Sequence, residues 1–194
     1  RRWLWATGGY AANLPFANND RPGVLAARAV GRLLAAHDIV AGDNIVMIVD
    51  GERGGAPASE VRRHATAVAD ALNHEGCTVR TVSLADVATV ATSLLGNDVT
   101  AIELTTGERI ECDTVAVVAL PSPASEGARM QGCDVTLDPD VGGYAVTVDA
   151  LGRTSVRGAY ATGDVTGYLG PAAAAAHGQH IGAAIVADLT AGAQ

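Results

Sequence analysis

The sequence predicts an α/β protein with parallel strands, on three observations. The apolar run at 44–49, Asn-Ile-Val-Met-Ile-Val, is typical of a buried strand. A helical pattern at 57–75 and a second apolar run at 77–82 follow it, which is the order of a βαβ unit. Another strand-to-helix junction lies near the end of the chain, where an apolar stretch reaches Gly163-Asp164 just before an alanine-rich segment.

The first 37 residues are predicted to form a strand, an irregular connection and a helix. The strand covers 4–7, and the Asn-rich connection covers 10–21. Apolar residues at helical spacing predict a helix over 24–37, with Asp20 as its cap and Pro22 in its first turn.

The later elements follow from the same patterns. Four apolar residues line one face of the helix at 57–75, namely Val61, Ala65, Val68 and Leu72. Strands are predicted at 99–104, 109–112, 114–119, 144–148 and 155–164, the first two forming a hairpin. Residues 121–132 are predicted to form a loop or a short helix, and the final helix runs from about 171 to 190.

Composition and charge exclude several classes of partner. The chain is 48% hydrophobic and carries a formal net charge of −8 at pH 7. Phosphates are neutralised by clustered Lys and Arg, and no basic run is present, so we expect neither nucleic acid nor an acidic membrane as a partner. No apolar run reaches the roughly 20 residues of a membrane span. We therefore expect a cytoplasmic protein.

Neither the cysteines nor the histidines predict a metal or redox centre. Cys77, Cys112 and Cys133 are widely spaced and form no Cys-x-x-Cys pair, so we expect small thiols of the core. His177 and His180 stand at i, i+3 on one predicted helix, but the sequence offers no third ligand beside them. No Ser/His/Asp or Cys/His constellation for nucleophilic catalysis is present, so the catalytic residues stay unknown.

The junction at Gly163-Asp164 is the strongest candidate for a binding site. A glycine lets another molecule approach the backbone, and a carboxylate accepts hydrogen bonds from hydroxyls. The amino end of the helix that follows is positive. This combination suits a polyhydroxylated cofactor that bears phosphates. An ordinary strand-to-helix turn capped by Asp164 is the alternative.

The order of the motifs resembles that of a flavoprotein superfamily. Ala-Thr-Gly at 6–8 closes the first strand, a βαβ unit with a hairpin follows, and Ala-Thr-Gly-Asp at 161–164 closes the last strand. This order resembles the pyridine-nucleotide-disulfide oxidoreductases, which have two dinucleotide-binding domains. The run at 16–24, Phe-Ala-Asn-Asn-Asp-Arg-Pro-Gly-Val, resembles one branch, the α subunits of heterotetrameric sarcosine oxidases and related opine, hydroxyproline and hydrogen-cyanide-forming amine dehydrogenases.

The resemblance implies a Rossmann-like, two-domain flavoprotein fold that binds FAD and NAD(P), of which this chain is a part. Residues 1–37 would belong to the FAD-binding domain and the crossover, 38–120 to a nicotinamide-type domain, and 121–194 to the return into the FAD-binding domain. The Gly-x-Gly-x-x-Gly for the ADP half of FAD is absent from the sequence, which begins without Met. We therefore expect upstream sequence or another subunit to complete the pocket.

The resemblance also implies which residues contact the cofactor in the first strand. Ala6, Thr7 and Gly8 would form the crossover between the domains, with their backbone running beside the FAD. The sequence departs from the family just beyond them, because Ala-Ala-Asn at 11–13 replaces the usual Glu-Arg-Pro. We therefore expect the polar contacts of that tripeptide to be lost.

The remaining contacts would come from the last strand and helix. Asp164 would accept hydrogen bonds from the ribityl hydroxyls, and Gly163 would allow the close approach, with Val165 beside them in the same motif. The helix that begins near Pro171 would point its positive amino end at the flavin pyrimidine, which favours the anionic reduced ring.

The loop of the βαβ unit departs from the dinucleotide fingerprint. That fingerprint needs Gly-x-Gly-x-x-Gly straight after the strand, so that bare amides meet the pyrophosphate. Here 50–55 reads Asp-Gly-Glu-Arg-Gly-Gly, which puts two carboxylates where phosphates would lie, and Ser83 stands where a ribose-binding acid is usual. Arg53 offsets part of the repulsion. We expect FAD as the cofactor, with NAD as an alternative that this loop disfavours.

These expectations combine into one favoured function and two alternatives. We favour an FAD-dependent oxidoreductase that acts on secondary amines or N-substituted amino acids, with this chain in the α-type subunit of a sarcosine-oxidase-like heteromer. The alternatives are an NAD(P)H-dependent flavin reductase and a non-catalytic scaffold subunit that retains the fold. The expected partners are other oxidoreductase subunits, or the upstream part of the chain, and a small-molecule substrate.

Overall fold

The computed structural model describes residues 2–50, 55–93 and 96–191. These residues form two compact units, one made of 2–10 with 120–191 and the other of 11–119. The strands are β1 (Trp3–Trp5), β2 (Gly9–Tyr10), β3 (Val24–Ala26), β4 (Asn44–Val49), β5 (Thr78–Ser83), β6 (Val87–Thr92), β7 (Val99–Leu104), β8 (Arg109–Glu111), β9 (Thr114–Val118), β10 (Ser122–Pro123), β11 (Val135–Asp138), β12 (Gly143–Val146) and β13 (Ala159–Ala161). The helices are α1 (Ala27–His37), α2 (Gly55–His74), α3 (Glu126–Met130) and α4 (Pro171–Ala191). In the described part of the chain, no helix combines the length and the apolar character that crossing a membrane requires.

The unit at 11–119 is a parallel sheet covered on both faces. Its four strands lie in the order β3-β9-β4-β5 and are all parallel. Ile45 and Met47 of β4 pack against α1 and α2, while Val46 and Ile48 pack into a second core with the antiparallel sheet β6-β7-β8. Because β4 is buried on both faces, its sequence is a continuous apolar run rather than an alternating one.

The sequence pattern at 24–26 predicts the first turn of a helix, and that prediction is wrong. Residues 24–26 form β3, which pairs in parallel with 115–117 of β9. The ladder hydrogen bonds and the burial gained beside β9 override the helical spacing. Helix α1 therefore begins at Ala27, with Ala26 at its cap position and no side-chain cap, so neither Asp20 nor Pro22 belongs to the helix.

The other unit is built on a pair of parallel strands, β1 and β13. Two antiparallel pairs join it, β2 with β10 and β11 with β12. The indole of Trp5 packs over Gly127 in α3, where a Cβ would lie 2.6 Å from the ring, and its Nε1 donates to Gln131 at 2.7 Å. A small core gathers around β13, comprising Ala128, Cys133, Val146, Ala159, Ala161 and Val165.

The two units divide the chain differently from the boundaries expected from the sequence. Residues 11–37 are grouped with 38–119 rather than with the first strand. The physical reason is the pairing of β3 with β9 and the packing of α1 on the same sheet as α2. The chain leaves the first unit after β2 and returns to it at β10, and these two segments pair with each other.

We predict that Ile48→Ala lowers the free energy of unfolding by about 2–5 kcal/mol, because it removes a fully buried side chain from a central strand. The matched control is Ile39→Ala, since Ile39 is 49% exposed and should lose less than about 1 kcal/mol. Urea unfolding of both variants measures the difference. Equal losses would contradict the placement of β4 in the core.

Candidate functional site

The two parallel strands β1 and β13 end at the same edge of their sheet. Trp3, Leu4 and Trp5 lie opposite Ala159, Tyr160 and Ala161. The pairing continues one step further, because the Thr162 amide donates to the Trp5 carbonyl at 2.9 Å. The segments 6–8 and 162–164 therefore leave the sheet side by side, although the sequence separates them by the whole of the second unit.

The segment at 6–8 keeps its backbone accessible while one side chain anchors it. The hydroxyl of Thr7 donates to the Ala124 carbonyl at 2.7 Å, and the Ala124 amide donates to the Gly8 carbonyl at 2.9 Å. Ala6 is exposed. Gly8 has φ +69°, and a Cβ added there would meet no atom within 4 Å. The site therefore has open space beside Gly8, at a backbone angle that favours glycine.

Asp164 stands in a short 3-10 turn, Gly163–Thr166, and divides its two oxygens between two directions. Oδ1 accepts from the amides of Leu169 and Gly170, at 2.9 and 3.3 Å. These bonds hold the loop that leads into α4. Oδ2 has no hydrogen-bond partner within the described residues, so a carboxylate oxygen remains available to a ligand.

The neighbouring residues of the motif have different environments. Gly163 has φ +74°, and a Cβ there would meet only Ala174, at 3.9 Å, so the space in front of it is open. Val165 is fully buried in the core around β13, so this residue presents no accessible surface to a ligand. Pro171 is exposed and begins α4.

Thr162 adds a polar group that the sequence patterns do not single out. The residue is only 6% exposed, and within the described residues its Oγ1 has no hydrogen-bond partner. Buried hydroxyls in folded proteins nearly always have a partner. An unpaired hydroxyl one residue before Gly163, together with the open space at both glycines, fits a polar ligand with several hydroxyl groups.

A cluster of three side chains fastens α4 to the strand that ends at the site. Arg153 donates to both carboxylate oxygens of Asp188 on α4, at 3.0 and 2.7 Å, and the Tyr160 hydroxyl donates to the same carboxylate at 2.5 Å. The hydrogen bond from Arg153, followed by that from Tyr160, lowers the pKa of Asp188 to about 2. This cluster lies at the far end of α4 from Pro171 and so fixes the direction of the helix.

The predicted nucleotide loop falls mostly outside the described residues. Of the run at 50–55, residues 51–54, which include Glu52 and Arg53, lie outside the described residues. The Asp50 amide donates to the Val118 carbonyl at 3.4 Å. Ser83 uses its hydroxyl locally, accepting from the Ala85 amide at 3.3 Å.

The segment that resembles the amine-oxidising branch uses its polar side chains to hold a loop. Asn18, at φ +64°, donates to the Val90 carbonyl at 2.8 Å, and Asn19 donates to the Leu14 carbonyl at 2.7 Å. Arg21 donates to Asn97 at 3.2 Å. These contacts attach the segment to its own unit.

The cysteines and other metal-binding residue types form no cluster in the described ranges. Within those ranges, no group of three or more His, Cys, Asp or Glu side chains could hold a metal ion. Cys77, Cys112 and Cys133 are free and buried. Burial, followed by the charge of Asp113, raises the pKa of the Cys112 thiol to about 11, which keeps it protonated and unreactive at neutral pH.

Comparison with known proteins identifies relatives of this arrangement. The family described as "Pyridine nucleotide-disulphide oxidoreductase" matches residues 29–180. A glutathione reductase of Burkholderia cepacia is 38% identical over 95 residues, which are 44% of this chain and 20% of the reductase. The chain thus spans about a fifth of that relative.

Several solved structures have the same fold at low sequence identity. The L-proline dehydrogenase from P. horikoshii aligns with 85% of this chain and 30% of its own, at 18% identity and a TM-score of 0.65. The T. acidophilum thioredoxin reductase aligns with 97% and 66%, at 20% identity and a TM-score of 0.62. An FAD-dependent pyridine nucleotide-disulphide oxidoreductase from Desulfovibrio vulgaris aligns with 96% and 54%, at 19% identity and a TM-score of 0.61. The predicted fold class is confirmed.

The Arg153–Asp188–Tyr160 cluster predicts a specific acid sensitivity. The pKa of Asp188 is lower in the folded chain, so the cluster stabilises the fold above about pH 4 and loses that contribution as the pH falls towards 2. We predict that Asp188→Asn removes this part of the pH dependence, as measured by urea unfolding at pH 5 and pH 2.5. Asp140→Asn, at an exposed position of the same unit, serves as the control. The prediction would be contradicted if the free energy of unfolding fell equally between pH 5 and pH 2.5 in Asp188→Asn and in the wild type.

Proposed function

The chain belongs to the pyridine nucleotide-disulphide oxidoreductase family, and we propose that it forms the part of an FAD-dependent oxidoreductase that holds the flavin end of the cofactor. The observation that carries this proposal is the in-register pairing of β1 with β13. That pairing brings the Ala-Thr-Gly segment at 6–8 and the Gly-Asp motif at 163–164 to one edge. Family membership supports FAD as the cofactor and is compatible with NAD(P) as well.

The residues of the edge suit the flavin end of FAD in complementary ways. The Oδ2 atom of Asp164 would accept hydrogen bonds from ribityl hydroxyls, while Oδ1 keeps the following loop in place. Gly8 and Gly163 leave room for the cofactor to approach the backbone. The amino end of α4 would favour negative charge on the ring. When bound, FAD accepts two electrons from a substrate and passes them to an acceptor.

We propose secondary amines or N-substituted amino acids as the substrate class, and an α-type subunit of a heteromer as the setting. The support is the resemblance of the run at 16–24 to sarcosine oxidase α subunits and related amine dehydrogenases. In the structure the amides and the guanidinium of this run hold a loop, so the run would act by shaping its unit rather than by touching the amine. The partners would be other oxidoreductase subunits or upstream chain, and the location the cytoplasm.

Two observations favour an NAD(P)H-dependent flavin reductase as a second candidate. The unit at 11–119 has the parallel sheet and covering helices of a dinucleotide-binding domain, and the similarity to a glutathione reductase extends over 95 residues. The acidic loop sequence at 50–55 argues against it, because carboxylates repel a pyrophosphate. A scaffold subunit without catalysis is the remaining alternative, and the open carboxylate of Asp164 argues against it.

We predict that Asp164→Ala in the full-length protein weakens FAD binding by about 1.5–3 kcal/mol, the range for a hydrogen bond to a charged group. Asp164→Asn keeps an oxygen that can accept from the Leu169 and Gly170 amides. It therefore separates the effect of losing the charge from the effect of losing the hydrogen bonds that hold the loop. The matched control is Asp138→Ala, because Asp138 caps another 3-10 turn through the Asp140 amide at 2.9 Å. Quenching of flavin fluorescence gives the dissociation constants. Unchanged affinity in both Asp164 variants would remove the proposal.

A reductive titration distinguishes the substrate proposal from the reductase alternative. We predict that a secondary amine such as an N-methyl amino acid bleaches the flavin absorbance of the complete assembly under anaerobic conditions, while NADH and NADPH do so slowly or not at all. The physical reason is the charge of the loop at 50–55. Rapid bleaching by micromolar NADH would establish the flavin reductase instead.

A further inference from the structure

A histidine of α4 is bonded to the glycine of the Gly-Asp motif. The amide of Gly163 donates to Nδ1 of His177 at 3.3 Å. His177 lies on the second turn of α4 and is half-buried. The metal-ligand pattern at His177 and His180 does not account for this contact, since the described residues hold no cluster of three metal-binding side chains.

Both backbone polar groups of Gly163 are therefore held by side chains. Its N–H donates to His177, and its carbonyl accepts from the Thr166 hydroxyl at 2.8 Å. Gly163 has φ +74°, outside the ordinary helix and strand conformations. The two side chains thus fix the conformation of the residue from which Asp164 projects.

The chemistry of the imidazole restricts how this contact can form. Nδ1 accepts a hydrogen bond only when it carries no proton, so this contact assigns to His177 the tautomer with its proton on Nε2. The Asp164 carboxylate, one residue from Gly163, accepts from the Leu169 and Gly170 amides through Oδ1. His180, one turn along α4, bonds instead with the Ala150 carbonyl at 3.1 Å.

We propose that His177 is a positioning residue for the flavin site, acting through the Gly163 amide rather than by touching the cofactor. This inference rests on the proposed FAD site. The imidazole holds the turn in the conformation that directs the free oxygen of Asp164 towards the ribityl hydroxyls. The turn is then set before the cofactor arrives, and binding does not have to order it.

The test compares three variants of the full-length protein. His177→Ala removes the acceptor, whereas His177→Asn retains one, because Oδ1 of asparagine occupies nearly the position of Nδ1 in histidine. We expect His177→Ala to weaken FAD binding about fivefold, the effect of one ordinary hydrogen bond, and His177→Asn to restore most of the affinity. His180→Ala, on the same helix, is the matched control and should bind FAD like the wild type.

A second measurement needs no cofactor. Hydrogen exchange of the Gly163 amide in the flavin-free protein should be slow in the wild type and in His177→Asn, and faster in His177→Ala. Equal exchange rates and equal FAD affinities in all three proteins would overturn the inference.

The two proposals fail in distinguishable ways. If the wild type binds FAD and Asp164→Ala weakens that binding while His177→Ala does not, only the role of His177 is wrong. If the wild type binds no FAD, the proposed function fails and the role of His177 at a flavin site falls with it. In that case faster exchange at Gly163 would still show that the hydrogen bond exists.

Discussion

The pairing of two short parallel strands is the interaction on which the candidate site depends. β1 and β13 are three residues each, and the chain between them includes the whole of the second unit. A ladder this short is weak by itself, so other contacts must support it. Trp5 anchors β1 to α3, while Tyr160 anchors β13 to Asp188 on α4. The relative position of the segments 6–8 and 162–164 therefore depends on these two side-chain contacts.

The Gly-Asp motif stabilises its own loop and, in the proposed function, would also bind the ligand. One oxygen of Asp164 accepts hydrogen bonds from the Leu169 and Gly170 amides, which have no backbone acceptor in the described part of the chain. The other oxygen has no hydrogen-bond partner within the described residues. Gly163 also combines two properties. Its backbone N–H and carbonyl are hydrogen-bonded to His177 and Thr166, and the absence of a side chain leaves open space beside its Cα.

The sequence could predict the parts of the fold that one strand or helix determines by itself. The strand at 44–49 was predictable because burial on both faces leaves a continuous apolar run, and the bounds of β4 agree with the prediction. The strand at 24–26 was not, since only its pairing with β9 makes it one. β6 (Val87–Thr92) and β11 (Val135–Asp138) were missed as well, because it is their antiparallel pairing with β7 and β12 that makes them strands. At the site, local motifs gave Gly163 and Asp164, but the roles of Thr162 and His177 depend on tertiary neighbours that no spacing reveals.

The pairing of β2 with β10 allows the sequences of the two units to change independently during evolution. Gly9 and Tyr10 lie opposite Pro123 and Ser122, so the points where the chain departs from and rejoins the first unit are already hydrogen-bonded neighbours. Domains whose two ends lie close together are readily inserted into, or removed from, a host fold. The unit at 11–119 thus resembles an inserted domain, because the two segments that flank it, β2 and β10, are hydrogen-bonded to each other. Substitutions within the unit at 11–119 therefore leave the backbone path of the first unit intact, so the sequences of the two units can change independently of each other.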